Sequence, residues 1–106
     1  MNIDKTFQSA IEEYNKGALK QAENLSKKIL IKKPRHADAL NLLGMIAYEE
    51  KNYYDAINFI KQALQYNPDN FYFHNNLGTA FKAIKQLDDA IIYYRKALQL
   101  SKKIKQ

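Results

Sequence analysis

The chain of 106 residues has no cysteine and no tryptophan, and holds only three glycines, two prolines and two histidines. Without cysteine there is neither a disulfide framework nor a thiolate metal site. Few glycines and prolines leave few places to interrupt a helix, and the abundance of Ala, Leu, Lys, Gln and Glu favours helix throughout. No apolar run approaches the roughly 20 residues that cross a bilayer. Met1–Lys5 carries no basic segment leading into an apolar one, so no signal peptide is read and a cytoplasmic location is expected. Catalytic groupings are also missing. His36 and His74 lie 38 residues apart, and the pairs Glu12/Glu13, Glu49/Glu50 and Asp88/Asp89 are sequence neighbours. On a helix such neighbours point about 100° apart, too far to share a proton. No Gly-rich phosphate loop, metal-ligand spacing or nucleophile–base pattern occurs, so neither an enzyme nor a cofactor is expected.

What is present describes a globular, aromatic-rich chain: 46% hydrophobic and 26% charged residues, with eight Tyr and five Phe. The net charge of +6 is uneven. Residues 1–36 carry +4, residues 37–70 carry −3 and residues 71–106 carry +5. An acidic middle between basic ends argues against one continuous stripe for nucleic acid. The densest basic run, Lys27 to His36, has no aromatic platform interleaved and reads as a solvated helix end complementing the macrodipole. High Lys, Asn, Ile and Tyr usage points to an AT-rich bacterial genome.

A period of 34 residues organises the chain. It relates Pro34 to Pro68, Gly44 to Gly78, Ala56 to Ala90 and Ala63 to Ala97, and residues 37–70 align on 71–104 with ten identities. Residues 3–36 continue the register through Ala22 and Pro34, so the expectation is one domain, 1–106, of three units at about 3–36, 37–70 and 71–104. In the middle unit Leu40, Leu43, Ala47 and Tyr48 follow helical spacing over 37–50, Lys51-Asn52-Tyr53 turns the chain, and Ile57, Ile60, Ala63 and Leu64 mark a second helix over about 54–66. Asn67-Pro68 ends it. Gly17 marks the corresponding turn of the first unit. A single helical hairpin cannot enclose its own apolar face, so the units must stack.

Leu40-x-x-Leu43-Gly44, Ala56, Ala63 and Pro68 resemble a tetratricopeptide repeat, as do Leu77-Gly78, Phe81, Ala90, Tyr94 and Ala97. The first unit is degenerate, with Ala10 where glycine is usual. The resemblance implies an all-α, right-handed α-solenoid of three helix-turn-helix hairpins, six helices and a short tail. It also implies close backbone approach where Gly44 and Gly78 face Ala56 and Ala90. Overpacking such a contact costs about 1–3 kcal/mol.

The same resemblance implies a concave groove lined by the first helix of each unit. Mapped by position, the first unit offers Asp4, Phe7, Ile11, Tyr14 and Asn15, the second Asp38, Asn41, Met45, Tyr48 and Glu49, and the third Tyr72, Asn75, Thr79, Lys82 and Ala83. Asn41 and Asn75 share a repeat position and suit hydrogen bonds to an extended peptide backbone, since an amide both donates and accepts. Tyr48, Tyr72 and Lys82 suit side-chain selection. The carboxylate clamp of chaperone-binding repeats is not matched, because Phe7, Ile11, Leu42, Tyr72 and Asn76 stand at its five positions. Asn76 matches one rung of the asparagine ladder of O-GlcNAc transferase repeats, while Gln8 and Leu42 do not continue it.

The expected function is a non-catalytic adaptor binding a peptide or helix in this groove. The alternative is an N-terminal targeting or oligomerisation segment of a larger enzyme such as a bacterial glycosyltransferase. Expected partners are proteins or peptides, with neither nucleic acid nor membrane. Ser101–Gln106 is expected to fray and is too short to cap the stack, leaving Ile91, Tyr94, Leu98 and Ile104 as a patch suited to self-association.

Overall fold

The computed structural model describes residues 1–105. They form six helices and, among the described residues, no strand: α1 (Ile3–Asn15), α2 (Leu19–Lys32), α3 (Ala37–Glu49), α4 (Tyr53–Tyr66), α5 (Phe71–Ala83) and α6 (Leu87–Lys105). Consecutive helices pair as hairpins that stack side by side in a body of 39 × 33 × 23 Å. The result is the all-α solenoid that the 34-residue period predicts.

Helix starts and stops recur with that period. Asn2, His36 and Asn70 each cap the first helix of a hairpin, with a side-chain acceptor taking the backbone N–H of Lys5, Ala39 or Phe73 at 3.0–3.1 Å. Such a cap satisfies one of the donors a helix start leaves unpaired. His36 thus does local structural work through Nδ1. Each hairpin then turns through a residue of positive φ: Gly17 (82°), Lys51 (64°) and Lys85 (63°). The N–H of the next residue reaches back five positions, as in Asn52 to the Ala47 carbonyl at 2.8 Å and Gln86 to the Phe81 carbonyl at 3.0 Å. This closes the helix end in a Schellman turn. The helices α2 and α4 stop at Lys33 and Asn67, whose backbone has left the helical region, as a following proline favours.

The core divides in two. The larger cluster lies between the second and third hairpins, around Leu40, Ile57, Ile60, Phe73, Leu77 and Phe81. The smaller joins the first hairpin to α3 through Ala10, Ala22, Leu42 and Ile46. Small residues hold the helix crossings close, with Ala22, Ala56 and Ala63 all fully buried. Gly44 lies against Ile60 as well as the Ala56 carbonyl, whereas Gly78 faces the ring of Tyr94 and not the expected Ala90. Buried His74 anchors α5 to the preceding loop, its Nε2 donating to the Pro68 carbonyl at 2.7 Å.

The expected fraying from Ser101 does not occur within the described residues: α6 continues to Lys105, and Gln106 lies outside them. Leu100 explains the extra turn, because its buried side chain holds the helix on the body well past Leu98.

Candidate interaction surface

The helices α1, α3 and α5 lie side by side and present their C-terminal halves to a cleft of about 170 Å³. Tyr14 comes from α1, Met45, Tyr48 and Glu49 from α3, and Asn76 and Thr79 from α5. Met45, Tyr48 and Glu49 follow three- and four-residue spacing, which keeps them on one helical face. Ile60 of α4 also lines it, reached past Gly44, where only a hydrogen stands between the two helices.

Polar contacts set the walls. Tyr14 donates its hydroxyl to the Glu49 carboxylate at 3.4 Å, a long bond bridging the first two hairpins. Burial raises the Tyr14 phenol above its ordinary pKa, and the neighbouring Glu49 charge and hydrogen bond push the same way. Asn76 donates to Asn41 Oδ1 at 3.2 Å, and Asn41 Nδ2 points to Met45 Sδ at 3.4 Å. This chain ties α5 to α3 and fixes the methionine. Thr79 donates to the Asn75 carbonyl at 3.0 Å, which leaves Tyr94 as the donor in their 2.9 Å hydroxyl contact. The cleft therefore combines an apolar floor, one carboxylate on its rim and hydroxyl and amide groups on the opposite side.

Of the groove positions mapped from the sequence, Tyr14, Met45, Tyr48, Glu49 and Thr79 meet in this cleft, joined by Asn76, the residue matched to the asparagine ladder. Tyr72 and Asn75 instead line a separate depression at the end of the stack, with Phe71, Tyr94 and Leu98. Asp38 and Lys82 are exposed at the start of α3 and the end of α5 and line neither concavity. Of the two asparagines expected to hydrogen-bond a peptide backbone, Asn41 is already paired with Asn76. Asn41 is 8% exposed and its amide is engaged from both sides, while Asn75 is exposed. The residue missed is Ile60. Its signal was the glycine at position 44, which marks where a side chain of the neighbouring helix enters.

The basic run is largely exposed, with Lys27 beside Glu23 at 3.4 Å and Arg35 stacked 5.7 Å above the Tyr66 ring. Among the described residues no group of three or more His, Cys, Asp or Glu side chains is placed to hold a metal ion, and no helix is long and apolar enough to cross a membrane.

Tetratricopeptide-repeat sequence profiles match residues 37–70 and 71–103. An uncharacterized protein, ycf37 of Pyropia yezoensis, is 38% identical over 65 residues, which are 61% of this chain and 36% of that protein. Among solved structures, a mutant O-GlcNAc transferase of Thermobaculum terrenum superposes with a TM-score of 0.87 at 27% identity, over 94% of this chain and 20% of the transferase. The first tetratricopeptide-repeat domain of Spaghetti (RPAP3), bound to the HSP90 peptide SRMEEVD, superposes with a TM-score of 0.87 at 16% identity, over 92% of this chain and 78% of that one.

Proposed function

Because the chain belongs to the tetratricopeptide-repeat family, we propose that it is a non-catalytic protein-interaction module that binds an extended peptide segment of a partner along α1, α3 and α5. The observation carrying this reading is the cleft whose apolar floor, Met45 and Ile60, meets the Glu49 carboxylate at its rim. Such a site takes a long side chain with an apolar stem and a basic tip: the stem lies on Met45 and the Tyr48 ring, and the cation meets Glu49. The acidic middle unit favours the same ligand electrostatically.

The test is a positional-scanning library of tagged ten-residue peptides, applied to the wild-type chain and to Met45→Ala and Glu49→Gln variants. Selection of Lys or Arg at one position, lost in Glu49→Gln with helicity unchanged, is the expected result. The same peptides bound equally by all three proteins would remove the cleft from the mechanism.

A second reading makes these hairpins a targeting segment within a glycosyltransferase. It is favoured by the 27% identity to the transferase over 94% of this chain. Co-purification of a glycosyltransferase with the tagged chain, or its presence in the same reading frame, would favour it over the adaptor.

A further inference from the structure

The 34-residue register allows the two faces of the stack to be compared position by position. On the middle hairpin, α5 covers the surface made by α3 and α4. There Ile57 is 6% exposed, Asn41 accepts the Asn76 amide, and Lys61 Nζ lies 5.5 Å from the centre of the Phe81 ring. On the last hairpin the equivalent residues are Ile91, Asn75 and Arg95, and Leu98 repeats Leu64. Ile91 is 46% exposed and Leu98 57%, and Asn75 and Arg95 are exposed too. The same surface chemistry thus recurs without its cover. The contact seen once inside the chain specifies what fits the second time.

We propose that the face formed by α5 and α6 docks an amphipathic helix of a partner protein, laid as α5 lies on α3 and α4. Its side-chain amide donates to Asn75 Oδ1, an aromatic ring five residues later stacks under Arg95, and apolar residues between them cover Ile91 and Leu98. Arginine in place of Lys61 strengthens the aromatic contact, since a guanidinium plane stacks on a ring better than an ammonium. Arg95 and Lys102, exposed beside this patch, select acidic residues on the flank of the docking helix. They also disfavour a second copy of this chain, because a two-fold pairing of like faces sets the same cations against each other. This surface is independent of the groove that the function above assigns.

The probe is a peptide of residues 70–86 of this chain, the sequence that covers the middle hairpin. A lactam bridge between positions 75 and 79, off the packing stripe, holds it helical. A second peptide carries K82E and K85E. Binding to the full chain is followed by fluorescence anisotropy. Saturable binding is expected, tighter for the acidic peptide at low salt. Ile91→Glu and Leu98→Glu should each weaken it about tenfold or more, N76A in the peptide should also weaken it, and Gln21→Ala in the chain should not. Both chain positions are exposed, so these variants fold, as circular dichroism will verify. No saturable binding of either peptide below about 1 mM, or binding indifferent to Ile91→Glu, would overturn the proposal. So would a dimer of the free chain that Leu98→Glu dissociates, which would assign the face to a second copy.

Discussion

The close approach at Gly44 makes the sharpest quantitative prediction. A methyl group placed there would sit 2.5 Å from Ile60 Cγ1 and 3.2 Å from the Ala56 carbonyl oxygen. Neither neighbour yields easily. Cγ1 is at the root of a β-branched side chain that is only 2% exposed, and the oxygen belongs to helical backbone. At Gly78 the same methyl would meet the Tyr94 ring at 2.9–3.1 Å, and that ring is half-buried and can tilt at the cost of its Thr79 contact. Overpacking costs about 1–3 kcal/mol, against about 1 kcal/mol that alanine returns as the better helix former. The immobile site should fall in the upper part of that range, so Gly44→Ala is expected to lose about 1–2 kcal/mol net and Gly78→Ala about 0–1 kcal/mol. In thermal unfolding followed by circular dichroism, the first should lower Tm by about 4–10 °C. A Gly44→Ala variant as stable as the parent, or less perturbed than Gly78→Ala, would refute the claim that these helices have no room for a methyl group.

Two further predictions concern backbone and titration. Lys51 and Lys85 occupy left-handed conformations at φ 64° and 63°, which cost a side-chain-bearing residue about 1–2 kcal/mol. Offset by glycine's chain entropy, Lys51→Gly and Lys85→Gly should each add about 0.5–1 kcal/mol in urea unfolding; Gly17→Ala should lose stability although nothing lies within 4 Å of the new methyl. The folded state raises the Tyr14 pKa above 10.0, so it holds the phenol proton more tightly than the unfolded chain. That contribution is complete below pH 10.0 and is lost as pH climbs through the raised value. The stability gap between the parent and Tyr14→Phe should be constant below pH 10 and shrink above it. Parallel curves would show that the Tyr14 phenol is neither buried nor held beside Glu49 in solution.

Six helices were legible, and the boundaries of the middle two to within a residue, because apolar spacing and the prolines after two helices are local signals and the 34-residue register carries them from unit to unit. The extra turn of α6 was not, because it depends on where Leu100 lands on the rest of the fold. The site was half legible for a similar reason. Asn41 and Asn75 are the same residue at the same repeat position, yet one is buried by the next hairpin and the other is exposed. Their difference lies in what stacks on them, which no window of sequence around either residue contains. Asn76 likewise replaces the Leu42 of the preceding unit, and only the packed structure shows its amide spent on Asn41.

The pairing order of the helices has a consequence for how the molecule comes apart. Each helix touches its immediate sequence neighbours, and beyond them only α1 meets α3 and α3 meets α5. Among the described residues nothing binds the first hairpin to the third, so loss of one end removes a single boundary and leaves the remaining pairs intact. The first hairpin is held by the smaller of the two apolar clusters and includes a bond as long as Tyr14 to Glu49. Amide protons of α1 and α2 should therefore exchange with solvent ahead of those in α4 and α5, through openings that spare the larger core. A ligand bridging Tyr14 and Thr79 would span that weak boundary, and its binding would register as slowed exchange in a hairpin it touches with only one side chain.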